Sequence, residues 1–260
     1  MAGREVRYAF EGTEFVGWLA EPQTDAPRPG VLVCHEGPGM TDHPRWRAER
    51  LADELGVVAF ALDYWGGGVP LPAAEVSEAL GRVIADPRLA RPRAEAGLAQ
   101  LLAHPLVDPA RVAAMGYCFG GTMAIDLARG GAPLVGAVGF HSGLKHPEPA
   151  DARLTARVLA MIGADDPIVT AADRLAWEAE MTAAGVDWQL HVYGGVVHSF
   201  TNRNSDRDGF RYHEAADRRS WVTMCQFFHE CLGTPRICRP GSSPPPAVVS
   251  RGNRQRPTRP

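Results

Sequence analysis

The sequence predicts an α/β domain, a mostly parallel sheet with helices on both faces, led by a β-hairpin. Three observations carry this. Short uninterrupted apolar runs recur, such as Val31-Leu32-Val33-Cys34, and they suit strands buried on both sides. Helical stretches separate most of these runs, and such alternation implies parallel pairing with helices covering the sheet. The composition is ordinary for a globular chain, at 45% hydrophobic and 22% charged over 260 residues. That length holds one sizeable core, and the composition excludes disordered, collagen-like and coiled-coil chains.

The elements follow in order. Apolar runs at 5–10 and 14–20 flank Glu11-Gly12-Thr13 and read as the hairpin. Residues 29–34 form the first buried strand, and a helix is expected around 46–55. The next strand spans 57–62 and ends at Asp63-Tyr64-Trp65-Gly66. Helices fill 73–85 and 90–103. A strand at 112–117 runs into Gly120-Gly121 and a helix reaching Ala128. Three further strands are expected at 135–140, 157–162 and 189–192, with helices at 171–184 and 211–232. In the last helix Trp221, Cys225, Phe228 and Leu232 form an amphipathic stripe. Gly233 then reads as a helix C-cap.

Net charge is −3, but it is unevenly spread. Residues 233–260 hold six Arg, seven Pro and no acid, whereas the body holds 21 basic and 30 acidic residues. The expected organisation is therefore a folded domain over 1–232 and a disordered basic tail over 233–260. Specific nucleic-acid binding is not expected from this balance, since the tail has no aromatic platform. No stretch approaches the length of a membrane span, and the N-terminus lacks a secretory apolar run. The five cysteines are odd in number and irregularly spaced, which argues against a disulfide framework and for a cytoplasmic protein. Cys225, His229 and Cys231 could present a metal-binding face. Cys225 lies on the apolar stripe, so core packing is expected there and no metal is assigned.

The strongest chemical signal is Gly116-Tyr117-Cys118-Phe119-Gly120-Gly121, at a strand-to-helix junction. A nucleophile elbow belongs there, with small residues on either side of a tight turn. Cys118 stands where Ser is usual. A free thiol of pKa about 8.5 is only roughly 3% ionised at neutral pH, so it needs activation. Downstream, Asp165-Asp166 follow a strand end and His198 follows a Gly-bounded loop. That is the nucleophile–acid–histidine order of α/β-hydrolases, with either Asp eligible. Upstream, Cys34-His35-Glu36-Gly37 follows the first buried strand, where one oxyanion-hole amide is normally supplied. Gly37 and Phe119 are the candidate donors, each contributing roughly 2.7–4 kcal/mol to transition-state stabilisation.

Taken together, the cysteine elbow, Glu36, Asp166 before Pro-Ile-Val and His198-Ser-Phe resemble the dienelactone hydrolase family over about residues 5–232. The resemblance implies an α/β-hydrolase fold, with Cys118 as nucleophile, His198 as general base and acid, and Asp166 as the orienting carboxylate. It implies that Glu36 hydrogen-bonds the resting thiol. It also implies a lactone or small-ester substrate and no metal or cofactor; separately, a monomer or homodimer is expected. Two features depart from the family. Its carboxylate-gripping arginines are absent, with Trp65-Gly66-Gly67-Gly68 and Asn202 in their places. Neither Asn nor Gly reproduces a bidentate Arg–carboxylate pair. The departure points away from dienelactone itself and towards a neutral, aromatic pocket built by Trp65, Phe140 and His141 with Phe119. Acyl transfer on the same residues is an alternative. A non-catalytic binding or redox-sensing scaffold, with Cys118 as an oxidisable thiol, is another.

Overall fold

The computed structural model describes residues 3–234. The basic tail beyond Thr234 lies outside them. β1 (Arg4–Phe10) and β2 (Thr13–Ala20) pair antiparallel across a turn in which Glu11 and Gly12 both take positive φ. Such a turn matches the natural strand twist.

β3 (Arg28–Cys34) leads to α1 (Asp42–Leu55) and β4 (Val58–Leu62). α2 (Ala73–Ile84), a short 3-10 turn at Pro87–Leu89 and α3 (Arg91–Leu102) follow. β5 (Val107–Tyr117) feeds α4 (Phe119–Arg129), and then come β6 (Gly136–Phe140) and β7 (Arg157–Gly163). α5 (Ala171–Ala183) and β8 (Trp188–Tyr193) precede α6 (Glu214–Leu232). Gly233 closes α6 in the left-handed conformation, its N–H bonding to the His229 carbonyl at 3.0 Å.

The eight strands order as β1-β2-β4-β3-β5-β6-β7-β8, parallel from β4 through β8. Side chains alternate across this sheet. Leu32, Phe60 and Ala114 face one core with α3 and α4, whereas Val31, Ala59 and Met115 face the other with α1 and α6. The stripe Trp221, Cys225, Phe228 and Leu232 seals the second core.

The structure adds two elements that hydropathy does not reveal. β9 (Asp206–Arg207) and β10 (Phe210–Arg211) form a small hairpin between β8 and α6. They are two residues long, too short for any period to register. One expectation is corrected: Cys225 is disulfide-bonded, while Cys34, Cys118 and Cys231 are free. An odd cysteine count excludes complete pairing and leaves room for a single bridge. Among the described residues no helix is long and apolar enough to cross a membrane.

Candidate active site

Glu36, Cys118, Asp166 and His198 follow β3, β5, β7 and β8 at the C-terminal edge of the parallel strands, where open α/β sheets bind ligands. Cys118 follows β5 and takes φ 55°, ψ −124°. This is a positive φ on a non-glycine residue, a strain of roughly 1–3 kcal/mol that surrounding structure must hold. Its own N–H bonds to the Phe140 carbonyl at 2.9 Å and to His141 Nδ1 at 3.1 Å. The neighbouring glycines are obligatory for close packing. A Cβ on Gly120 would sit 2.2 Å from the Cys34 carbonyl oxygen, and one on Gly116 would sit 2.2 Å from the Gly120 backbone. β3 and the start of α4 therefore touch backbone to backbone. As the first residue of α4, Phe119 has an N–H without an intrahelical acceptor.

The β7 and β8 loops are stitched together. Asp165 N–H bonds to the Val196 carbonyl at 3.0 Å, and Ala164 N–H to the Tyr193 carbonyl at 2.8 Å. This brings Asp166 Oδ2 within 2.8 Å of His198 Nδ1. Asp166 Oδ1 accepts the Ile168 N–H, which fixes the carboxylate plane. Burial separates the two acids that sequence left open: Asp166 is buried and Asp165 is exposed. Ser199 takes positive φ, and the β9–β10 hairpin braces His198 through bonds from its N–H to Gly209 and from Arg211 N–H to its carbonyl. Phe210 meets the imidazole edge-on at 4.9 Å.

His198 Nε2 is buried without a conventional hydrogen-bond partner, and the ring interacts with the Cys118 sulfur. Burial opposes protonation of this ring. Asp166 and Cys118 outweigh it and push the His198 pKa up to about 10.

Glu36 follows β3 and is 5% exposed. Its carboxylate accepts from Asn202 Nδ2 at 2.7 Å and faces His43 Nδ1 at 3.3 Å. Among the described residues it makes no hydrogen bond to the Cys118 thiol, contrary to what the resemblance implied. Asn202 and His43 both meet its Oε2 instead. Burial works to raise the Glu36 pKa, but His43 first, then Asn202 and His198, hold it below the usual carboxylate value. His43 is itself oriented. Its Nε2 accepts from Arg47 Nε at 3.1 Å, which turns Nδ1 towards Glu36. Arg47 is fully buried and anchored on Asp217 at 2.6 Å.

The aromatic pocket is corrected. A cleft of about 1430 Å3 contains Glu36, Gly37, Cys118, Phe119 and His198, but Trp65, Phe140 and His141 do not line it. Trp65 stands behind the Gly37 loop, its Nε1 donating to the Gly37 carbonyl at 2.8 Å. Phe140 stacks on Tyr117 in the α1–α6 core, since strand parity turns it away from the cleft. His141 is fully buried, and its Nε2 meets Thr201 Oγ1 at 2.8 Å while Nδ1 accepts the Cys118 N–H. Burial, reinforced by His198 and His43, keeps its pKa well below the ordinary value, so a neutral ring accepts that bond. The cleft walls mix aliphatic residues, among them Val69, Leu80 and Leu144, with polar and charged ones, among them Lys145, Asp173 and Arg207. The Gly66–Gly68 segment is a turn built on Asp63, which accepts four backbone N–H groups, from Val16, Trp65, Gly66 and Gly68.

Sequence reasoning did not find His43. No motif marks it, because it reaches Glu36 only through the placement of α1. Asn202 registered as a missing arginine, and its bond to Glu36 depends on the turn after His198.

This strand order, with a nucleophile-type elbow after β5 and a histidine after β8, defines an α/β-hydrolase. The fold is shared with the α/β hydrolase MGS-M1 from a deep-sea metagenome (TM-score 0.65, 19% identity, 89% of this chain and 99% of that one). The chain belongs to the dienelactone hydrolase family, whose model matches residues 15–232. A dienelactone hydrolase-like promiscuous phosphotriesterase from metagenomic libraries superimposes with TM-score 0.84 at 40% identity, covering 89% of this chain and 98% of its own. A Salmonella typhimurium protein provisionally named a carboxymethylenebutenolidase is 27% identical over 86% of this chain and 85% of its own length. Protein usf of Aquifex pyrophilus is 26% identical over 88% and 99%.

Proposed function

We propose that this hydrolase cleaves neutral carboxylic esters and lactones through a thioester on Cys118. The observation that carries the reading is the line Cys118–His198–Asp166 at the head of α4, with His198 and Asp166 buried, Cys118 half-buried, and the acid side closed at 2.8 Å. Sγ of the thiolate attacks the carbonyl carbon, and the oxyanion is received by the N–H groups of Gly37 and Phe119. The C–O bond then breaks, and the leaving alkoxide takes the proton held at His198 Nε2. Water, deprotonated by the same nitrogen, attacks the thioester. The acid leaves and the proton returns through His198 to sulfur. In a lactone the leaving oxygen stays tethered until this second step.

Position 202 favours a neutral substrate at this point of the cleft. Asn202 is committed to Glu36, so it offers no cation to a substrate carboxylate. A neutral phosphotriester, the class named for the relative at 40% identity, would meet the same thiolate and is the second substrate class to assay.

The test is intact-protein mass spectrometry during turnover of p-nitrophenyl acetate. An acetyl adduct confined to Cys118, with turnover abolished in Cys118→Ala, is the expected result. Wild-type rates in Cys118→Ala would refute the proposal. Product analysis with an added alcohol or amine separates hydrolysis from acyl transfer.

A further inference from the structure

The cleft is far larger than a small lactone requires. Ordinary small-molecule sites run roughly 300–1,000 Å3, against about 1430 Å3 here. Its two sides also differ in chemistry. On the Gly37 side stands α2, whose apolar residues Val76, Leu80, Val83 and Ile84 share one face. Val83 roots this face in the core and is the one buried residue of α2. Val76, Leu80 and Ile84 line the cleft with Val69, and Ile84 and Val69 are 61% and 60% exposed. Leu80 also presses on the loop expected to donate to the oxyanion. Its Cδ1 lies 2.5 Å from where a Cβ on Gly37 would be. On the His198 side the wall is polar, made by Asn204, Ser205, Asp206 and Arg207 next to the hairpin that braces the imidazole.

Chemistry orients a substrate across these two walls. The leaving oxygen must lie at His198, because that ring protonates it. The alcohol portion therefore faces the polar wall, and the acyl chain extends from the carbonyl along α2. We infer that α2 forms an acyl-chain subsite, and that the substrate class is the ester of an extended apolar acid with a small or polar alcohol. The inference rests on the hydrolase reading above and narrows it.

The experiment compares esters on the full chain. Burial of one methylene corresponds to about fourfold in kcat/KM. With p-nitrophenyl esters, octanoate should exceed acetate by at least about tenfold, even with only two or three methylenes seated. Ethyl octanoate and octyl acetate are isomers that reverse the apolar arm, and ethyl octanoate should be the better substrate. Leu80→Asp and Ile84→Asp place a charge on the subsite and should each collapse the octanoate-to-acetate ratio. Ile84 is mostly exposed, so its variant keeps the test valid if Leu80→Asp misfolds. Turnover of p-nitrophenyl acetate with no gain for octanoate would overturn the acyl subsite alone, as would octyl acetate equalling ethyl octanoate. Absence of turnover on every ester would overturn the hydrolase reading and this inference with it.

Discussion

Asn202 Nδ2 donates a 2.7 Å hydrogen bond to Glu36 Oε2, joining the β3 loop to the turn after His198 across 166 positions of sequence. The contact helps to hold a buried acid of the cleft in its charged form. With His43 on the same oxygen at 3.3 Å, it keeps Glu36 ionised despite burial.

Removing that donor should be visible in the pH profile. Asn202→Leu deletes a hydrogen bond to a charged group, a contribution of roughly 1.5–3 kcal/mol. The Glu36 pKa then rises, so its charge is lost at a higher pH as pH falls. The acid limb of the kcat/KM profile should move upward by about one to two pH units, with activity near neutral pH little changed. A profile superimposable on the wild type would separate Asn202 from the chemistry.

Asp166→Asn should keep the fold and lower kcat by roughly 10²–10⁴, because the imidazole loses the partner that sets its tautomer. The same variant tests linkage. His198 is raised from about 6.5 to about 10 in the folded chain. Its contribution to stability is therefore complete below about pH 6.5 and is lost as pH rises towards 10. Urea unfolding of wild type and Asp166→Asn should differ most near pH 6 and converge near pH 10.

Arg47→Met strands the Asp217 carboxylate, which is 7% exposed, without its cation. Breaking a buried pair from one side costs about 3–5 kcal/mol. Denaturant midpoints should fall accordingly. The double variant Arg47→Met/Asp217→Leu, which removes both charges, should recover much of the loss.

Two glycine substitutions should act in opposite directions. Gly120→Ala drives a methyl to 2.2 Å from the Cys34 carbonyl oxygen, and overpacking of this kind costs about 1–3 kcal/mol or more. Gly81→Ala, inside α2 with nothing within 4 Å of the new Cβ, should stabilise by about 0.5–1 kcal/mol. Thermal unfolding of the two variants checks both signs.

Much of this site is legible in the chain. The elbow glycines, the acid after β7 and the histidine after β8 sit at strand ends, and strand ends show in local hydropathy. The aromatic pocket failed for a physical reason. Phe140 alternates with Gly139 and lies opposite Tyr117 in register, so it points into the α1–α6 core. Sequence parity separates two faces of a strand without saying which one a cleft opens over. Asp165 and Asp166 posed the same difficulty, and the β7–β8 loop contacts resolve it by burying only Asp166.

The sequence by itself determined the α/β alternation, the order of the site residues and the family, because each is written in local runs and short motifs. Only the tertiary structure decided what surrounds them. Glu36 meets His43, Asn202 and, through His43, Arg47, and α2 spreads an apolar face over the cleft. These contacts join residues far apart along the chain or on different loops. They depend on sheet order and loop placement, which no local pattern of residues encodes.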